Sequence, residues 1–257
     1  MCLIAFAYNS HPKYSLILIA NRDEFYQRPS DLLSFWQDEP KVLAGRDCEK
    51  SGTWLGITTT GRFSAVTNYR DGHKTTNKSL RSRGELTRNF LCTNISAQHY
   101  LQQLASEQME FSDFNLLLGD QSGFYYASNK RTETQKLEPG LYALSNALLD
   151  TPWPKVRHVK TQLSHAIKNK NLDIESLIGI MSDQTQAAIE QLPDTGVSPE
   201  WEKILSSIFI KTSNYGTRAT TVLLQEKDGT TQILEQSYGA DGKISRQEQL
   251  IQVPPIG

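Results

Sequence analysis

The second residue of the chain is a cysteine, and its position gives it the most informative chemistry in the sequence. Initiator methionine is normally removed when the next residue is as small as cysteine, so we expect the mature chain to begin with Cys2. An N-terminal cysteine carries a thiol with a pKa near 8.5 beside an α-amine with a pKa of about 7.7–8.0. The amine can take the thiol proton, so one residue supplies both nucleophile and base. The alternative is that Cys2 is a small buried hydrophobe at the start of a strand.

The segment that follows the second apolar run is expected to lie beside Cys2. Two apolar, β-prone runs separated by a turn cluster predict a hairpin over residues 2–20. With its tip near His11, cross-strand partners have numbers that sum to about 22, which sets Cys2 opposite Ala20. Residues 21–24 (NRDE) then emerge next to the N-terminus.

Two charged residues of this segment suit a cysteine nucleophile. The guanidinium of Arg22 can lower the pKa of a neighbouring thiol and stabilise its thiolate. The carboxylate of Asp23 can hold an α-ammonium group or orient the amine. The alternative is that Arg22 and an acid, Asp23 or Glu24, form only an ion pair at a strand end, which stabilises little when exposed.

Three further polar residues stand at the ends of predicted strands. Asn68 and Asn146 each follow such a strand, and an asparagine amide can donate to the oxyanion that develops in acyl transfer. Each asparagine taken alone is more often a turn or capping residue. Arg218 follows Gly216, which permits close backbone approach, and can bind a carboxylate or phosphate. It can equally be a solvated strand residue.

The elements that must position these residues are mixed. The sequence is β-rich at both ends and has helical blocks between, which predicts an α+β fold, a four-layer αββα sandwich with two mainly antiparallel sheets between helical layers. Besides the hairpin we expect strands near 54–58, 63–67, 114–118, 123–128, 141–145, 215–225 and 231–236, with helices from Ser82 and near 96–106, 153–169, 173–182 and 198–209.

Composition narrows the class of protein. The chain has 257 residues, a formal net charge of −1 and 38% apolar residues, so we expect one soluble domain over residues 1–257 and no nucleic-acid partner. No apolar stretch reaches the roughly 18 residues of a membrane span, and the start lacks the basic flank of a signal peptide. We therefore expect no integral membrane contact. Three widely spaced cysteines give no disulfide framework and favour a reducing, cytoplasmic setting.

Sequence motifs for metals and phosphate groups are absent. Neither C-x-x-C nor H-E-x-x-H occurs, and both Gly-rich phosphate-binding patterns are missing, so we expect no metal and no resident cofactor. Lys155, Arg157 and Lys160 form a basic run on a predicted helix, which we interpret as solvated surface.

Ordered motifs along the whole chain resemble the NRDE family, also called the transport and Golgi organization protein 2 family. The matching segments are residues 1–4 (MCLI), 21–26 (NRDEFY), 28–29 (RP), 52–56 (GTWLG), 67–70 (TNYR), 82–84 (SRG), 144–146 (LSN), 149–155 (LDTPWPK) and 215–218 (YGTR). The family is similar to cysteine-type N-terminal nucleophile hydrolases such as penicillin V acylase and bile salt hydrolase, which implies the four-layer fold named above.

The resemblance also implies site residues and two possible functions. By motif position it assigns catalytic roles to Cys2, Arg22, Asp23, Asn68, Asn146 and Arg218, and substrate contacts to Asn21, Glu24, Tyr69 and Arg70. The hydrolases space their arginine and aspartate by three residues, whereas these residues are adjacent here, so either Asp23 or Glu24 fills the acidic role. The first function is hydrolysis of a small or acylated amide. The alternative is a non-catalytic carrier of haem, acyl-CoA or lipid that uses the same cleft, related to the secretion and Golgi roles of eukaryotic members.

Overall fold

The computed structural model describes residues 2–73, 80–169 and 172–257, so Met1 lies outside the described residues. The strands of the described ranges are β1 (Cys2–Tyr8), β2 (Tyr14–Phe25), β3 (Ser30–Phe35), β4 (Val42–Asp47), β5 (Leu55–Thr58), β6 (Phe63–Asn68), β7 (Phe114–Asp120), β8 (Gly123–Ser128), β9 (Gln135–Lys136), β10 (Gly140–Leu144), β11 (Tyr215–Glu226), β12 (Thr230–Gly239) and β13 (Gly242–Gln252). The α-helices are α1 (Arg83–Cys92), α2 (Ala97–Glu107), α3 (Pro154–Lys168), α4 (Ile174–Met181) and α5 (Pro199–Ile204).

The strands form two antiparallel sheets. The first sheet has the order β10-β1-β2-β11-β12-β13, and the second runs from β3 to β9 in chain order. An inter-sheet core that includes Phe6, Leu18 and Phe63 joins them. Helices α3 and α4 cover the outer face of the first sheet, and α1 and α2 cover that of the second. The expected α+β four-layer sandwich is confirmed.

Strand β1 is apolar throughout because both of its faces are covered. Leu3 and Ala5 belong to the core beneath α3 and α4, whereas Ile4 and Phe6 belong to the core between the sheets. Side chains alternate along a strand, so Cys2 falls on the inter-sheet face with Ile4. The first functional side chain is thereby aimed between the sheets.

The hairpin forms as expected, but its predicted register is wrong by two residues. Cys2 pairs with Arg22 rather than with Ala20, which pairs with Ile4. The loop is centred later than His11, because the Asn9 N–H donates to the Ser15 carbonyl at 2.8 Å. A shift of two residues keeps every side chain on its face, so the consequence is that Arg22 comes closer to Cys2 than expected.

Other differences concern strands that were not predicted and the end of one helix. Strands β3, β4, β9 and β13 were not expected, and β13 is an edge strand whose side chains are mostly half-buried or exposed. The helix expected near 198–209 ends at Ile204. Ser206 Oγ donates to the Lys203 carbonyl and Ser207 Oγ to the Ile204 carbonyl, at 2.7 and 3.1 Å, which competes with helix continuation.

Candidate active site

A cleft of about 270 Å³ lies at the end of the sandwich where β1 begins and β2 ends. Both sheets and the first turn of α1 contribute to its walls. Its principal side chains are those of Cys2, Arg22, Asp23, Glu24, Arg28, Asp47, Lys50, Trp54, Asn68 and Arg83. Most of them are polar or charged, which suits a small polar ligand.

Cys2 lies directly across the β1–β2 ladder from Arg22, so both side chains project from the same face of the sheet. Burial raises the pKa of the Cys2 thiol, the Asp23 carboxylate raises it further, and the Arg22 guanidinium opposes that rise. The resting side chain is therefore a neutral thiol near pH 7. Such a thiol needs a proton acceptor before it can attack.

Arg22 is a buried arginine, and one nitrogen of its guanidinium has no hydrogen-bond acceptor among the described residues. Its side chain is 7% exposed, its guanidinium stacks on the Trp54 ring at 4.3 Å, and Nη2 lies 3.4 Å from Asp47 Oδ2. Among the described residues Nη1 has no hydrogen-bond partner. A buried donor left without an acceptor is costly, so this N–H is a natural contact for a ligand oxygen or a thiolate.

Asp47 fixes the charged wall of the cleft. Its Oδ2 accepts from Arg28 Nε at 2.6 Å, and its Oδ1 accepts from the backbone N–H groups of Glu49 and Lys50 at 3.1 and 3.0 Å. Burial alone would raise the pKa of this carboxyl, but these hydrogen bonds lower it. Asp47 is therefore ionised and holds the arginines in place.

The two adjacent acids occupy different environments. Asp23 is 1% exposed, and its Oδ1 accepts from Thr217 Oγ1 at 2.8 Å. Burial raises the pKa of Asp23, and Lys155 is the largest influence that opposes the rise. Glu24 lies at the rim with a side chain 25% exposed, 3.9 Å from Arg28 Nε. Burial beside Cys2 favours Asp23 for the acidic role that the sequence left open.

Asn68 and Asn146 meet at the edge of the cleft. Asn146 is fully buried, and its Nδ2 donates to Asn68 Oδ1 at 2.8 Å and to the Asn68 carbonyl at 3.0 Å. Ser145 Oγ lies 3.3 Å from the Cys2 carbonyl and 3.2 Å from Asn146 Oδ1, within hydrogen-bonding distance of both. It thereby links the two asparagines to the start of β1. Since Oδ1 of Asn68 is occupied, its Nδ2 is the atom that can donate into the cleft. Asn146 orients Asn68 and does not line the cleft itself.

Arg218 lies behind the cleft. It sits at a β-bulge in β11, and its Nη1 donates to the carbonyls of Phe25, Tyr26 and Arg28 at 2.9, 2.9 and 3.0 Å. The side chain thus holds the turn that carries Arg28. In this conformation it makes no contribution to the cleft wall.

The other residues proposed as substrate contacts also lie outside the cleft. Asn21 is 1% exposed and ties β2 to the carbonyls of Met181 and Ile208 at 2.8 and 2.9 Å. Tyr69 lies against the Lys130 ammonium, 5.4 Å from the ring centroid. Arg70 donates to Glu202 Oε2 at 2.8 Å and stacks on Trp153. Of the four, only Glu24 borders the cleft.

The family model and the related sequences agree on the family of the chain. The family model described as Transport and Golgi organisation 2 matches residues 1–240. The chain belongs to this family. It is 36% identical to the Transport and Golgi organization protein 2 homolog of Bos taurus over 94% of this chain and 95% of that protein. The corresponding values for the Homo sapiens homolog are 34%, 92% and 93%.

Two solved structures that resemble this family member are those of a hydrolase and an amidase. The C2A mutant of conjugated bile acid hydrolase from Clostridium perfringens matches with a TM-score of 0.55 and 11% identity, over 98% of this chain and 92% of that one. The Caenorhabditis elegans ortholog of N-acylethanolamine-hydrolyzing acid amidase matches with a TM-score of 0.50 and 10% identity, over 87% and 92%. At these identities the likeness shows the fold alone.

Sequence reasoning missed three charged residues around this site, of which Lys155 and Glu235 are buried. Lys155 was interpreted as solvated surface and is 3% exposed, so that interpretation is wrong. Arg83 begins α1, lines the cleft and donates from Nη1 to the Asp113 carbonyl at 3.3 Å. Glu235 is 3% exposed on β12, where burial raises its pKa to about 7 and Arg22 opposes the rise. The family motifs SRG and LDTPWPK contain the first two and were the available signal.

Two searches of the described ranges found no candidates. Among residues 2–73, 80–169 and 172–257, no group of three or more His, Cys, Asp or Glu side chains is placed to hold a metal ion. No helix in the same part of the chain combines the length and apolar character needed to cross a bilayer.

Proposed function

We propose that this family member is a cysteine-type N-terminal nucleophile amidohydrolase in which Cys2 attacks the carbonyl of a small amide. The observation that carries the proposal is the pairing of Cys2 with Arg22 in a small cleft, where a buried Nη1 of Arg22 lacks a partner among the described residues. The fold shared with two amide-hydrolysing enzymes supports it. Buried, unsatisfied donors beside a nucleophile are typical of sites that stabilise developing charge.

The proposed attack begins with the neutral Cys2 thiol. After removal of Met1, the α-amine of Cys2 accepts the thiol proton while sulfur forms a bond to the carbonyl carbon. The ammonium then gives that proton to the departing amine, which leaves a thioester on Cys2. A water molecule, deprotonated by the same amine, hydrolyses the thioester and restores the thiol. The raised pKa of Cys2 agrees with a mechanism that transfers the proton during attack rather than beforehand.

Asn68 is the proposed donor to the tetrahedral oxyanion. Its Oδ1 is held by Asn146, so Nδ2 is oriented before the substrate arrives. A donor fixed in this way stabilises the transition state without reorganisation. Asp23 is proposed to hold the α-amine of Cys2, because it is a buried carboxylate that lines the same cleft as Cys2.

The dimensions of the cleft favour a small amide over the alternative carrier function. A volume of about 270 Å³ is below the range of about 300–1,000 Å³ that sites for drug-sized ligands occupy. The carrier alternative draws support from Arg83 and Lys50, cleft cations with no carboxylate within 4 Å among the described residues. They are suited to a carboxylate or phosphate, as found on haem or acyl-CoA. The cytoplasmic setting and these ligands stay predictions.

Intact mass and a substrate panel test the proposal. The protein from its native host is expected to lack one methionine, and it should hydrolyse at least one member of a panel of N-acyl amides. Cys2→Ser, made on a chain whose Met1 is shown to be removed, should lose most of that turnover because a serine hydroxyl is far harder to deprotonate. Cys48→Ser is the matched control, since Cys48 is an exposed thiol outside the cleft wall and should leave turnover unchanged.

Two outcomes would count against hydrolysis. Unchanged turnover in the Cys2→Ser protein would remove Cys2 as the nucleophile. Saturable binding of an acyl-CoA or haem, with retained Met1 and no turnover of any amide, would instead support the carrier.

A further inference from the structure

Strand β13 forms one edge of the first sheet, and among the described residues it pairs only with β12. The strand is 11 residues long. An edge strand presents a row of backbone N–H and C=O groups that another strand can bind. Two large apolar side chains of β13 are also exposed, Ile244 at 66% and Leu250 at 72%. This edge therefore offers both the backbone groups and the apolar contacts that strand pairing uses.

The hydrogen-bond pattern indicates which residues of β13 face the open edge. The Val253 N–H donates to the Gly229 carbonyl at 3.0 Å, and these residues continue the register of the β12–β13 ladder. Hydrogen-bonded pairs in an antiparallel ladder recur every two residues. The odd-numbered residues of β13 therefore direct their backbone groups towards β12, and the even-numbered residues from Arg246 to Leu250 direct theirs outwards.

The even-numbered residues of β13 also carry its more exposed side chains. Arg246 Nη2 lies 3.7 Å from Glu248 Oε2, and these side chains are 40% and 44% exposed. Charged residues on an edge strand normally hinder pairing with another strand. Here the two charges have opposite signs and are two residues apart. A second copy that runs antiparallel can therefore bring each charge opposite its complement.

A two-fold axis through Gln247 is the arrangement that matches this pattern. It sets Arg246 opposite Glu248 of the second copy. Ile244, at a bulge of the β12–β13 ladder, then comes near Leu250 of the second copy. An axis through Arg246 or through Glu248 would set like charges opposite each other, which destabilises a strand pair. An axis between two residues would oppose outward-facing backbone groups to inward-facing ones and lose the ladder.

We propose that two copies of this chain associate through β13, antiparallel and in this register, so that their first sheets form one continuous sheet. Both β13 edges are then covered, so association through this strand ends at a dimer. Because the contact is one strand edge with two apolar side chains, we expect monomers near about 1 µM and dimers above about 100 µM. The proposal is independent of the chemistry at Cys2.

Sedimentation equilibrium over about 1–300 µM measures this association and its dependence on charge. Arg246→Glu and Glu248→Arg each set like charges opposite each other across the axis, so each should weaken dimerisation about tenfold or more. The two substitutions together exchange the charges and should restore dimerisation to within about threefold.

The matched control for these variants is Arg157→Glu. Arg157 is exposed on α3, which packs on β10 and β1 at the opposite edge of the same sheet. The change in charge equals that of Arg246→Glu, so the control should leave the dissociation constant unchanged. Melting curves establish that each variant is folded.

Cysteine substitution tests the register without altering the charges. Gln247→Cys places two thiols at a non-hydrogen-bonded pair on the axis, where Cα atoms lie about 4.5 Å apart and a disulfide can form. Under mild oxidation this chain should become a covalent dimer, and peptide mass analysis should find the bond between the two copies of position 247. Gln249→Cys is the control, because its two copies are displaced by four residues, about 13 Å along the strand.

Four results would overturn the proposal. A wild-type chain that stays monomeric at about 300 µM would exclude the dimer. A dimer that is as tight in Arg246→Glu as in wild type would place the interface elsewhere. Failure of the double charge exchange to restore association in a folded protein would contradict the pairing of Arg246 with Glu248. Cross-linking of Gln249→Cys as readily as Gln247→Cys would contradict the register.

Discussion

The two ends of the β1–β2 hairpin differ in what they bury. At the loop end, Phe124 meets Phe6, Tyr8 and Phe63 with ring centroids 5.2–5.4 Å apart. At the cleft end, the same two strands bury charged groups. The aromatic end gains stability from packing, whereas buried charges rarely stabilise a fold more than apolar residues of similar size would. The difference agrees with the proposal that the cleft end serves binding and chemistry.

The charges of the cleft end are only partly matched. Arg22 has Asp47 at 3.4 Å, but its Nη1 lacks a partner among the described residues. Lys155 Nζ is similarly unsatisfied in that part of the chain. Glu235 accepts a hydrogen bond from the Leu33 N–H at 3.2 Å, and Arg22 is the cation that acts on its pKa. The cleft end is therefore where substitutions can improve stability, and the aromatic end is where they should only reduce it.

The largest effect on stability is expected at the aromatic end. Phe124→Ala removes a fully buried ring from the inter-sheet core and should lower the free energy of unfolding by about 3–5 kcal/mol. Urea denaturation measures this change. Leu250→Ala is the control, since Leu250 is 72% exposed and should change stability by less than about 0.5 kcal/mol. A loss below 1 kcal/mol for Phe124→Ala, or a change in Cys2 alkylation in the folded protein, would break the comparison between the two ends.

Substitution of Glu235 at the cleft end is expected to increase the free energy of unfolding. Its pKa is about 7 in the folded protein against an ordinary value of 4.5, so the folded state holds its proton more tightly. Below pH 4.5 Glu235 is protonated in both states and has no effect on stability. Between pH 4.5 and 7 it ionises in the unfolded chain but not in the folded protein, which favours the unfolded state. Glu235→Gln removes this penalty and should stabilise the protein at pH 8 by at most about 3 kcal/mol.

Urea denaturation of Glu235→Gln at pH 5 and pH 8 checks this sign. The gain should shrink towards pH 5. A gain that is equal at both pH values would mean that Glu235 does not titrate in this range.

Much of the site could be predicted because short-range patterns determine it. Alternation along residues 2–8 and a tight turn are enough to bring Arg22 opposite the N-terminus, even with the register two residues out. Asn68 and Asn146 were recognisable as polar residues at strand ends, and the structure brings their side chains together. The hairpin also predicted Asp23 near Cys2, but no local pattern reveals that Asp23 is buried.

The missed residues depend on long-range packing. Lys155 belongs to a basic run in which Lys160 is partly exposed and Lys155 is buried, and the placement of α3 on the first sheet decides between them. Glu235 lies in a polar stretch of β12 that becomes interior only because the second sheet covers it. Arg218 was predicted to belong to the site but lies outside the cleft wall. It sits at a bulge in β11, and its guanidinium donates to backbone carbonyls.

The smallest effect that we predict distinguishes two arginines at the cleft end, Arg22 and Arg218, by their influence on the alkylation rate of Cys2. Arg22→Met removes the cation that opposes the raised pKa of Cys2, so iodoacetamide alkylation at pH 7.5 should slow about tenfold, equivalent to about 1.4 kcal/mol. Arg218→Met leaves Arg22 in place and removes only the brace on the 25–28 turn. Its alkylation rate should fall less than about threefold, because a charge outside the cleft wall is screened from the thiol. Melting curves establish that both variants are folded. If Arg218→Met slows Cys2 as much as Arg22→Met, then Arg218 must act on the thiol directly, and the cleft must adopt a second arrangement in which this arginine leaves its carbonyls.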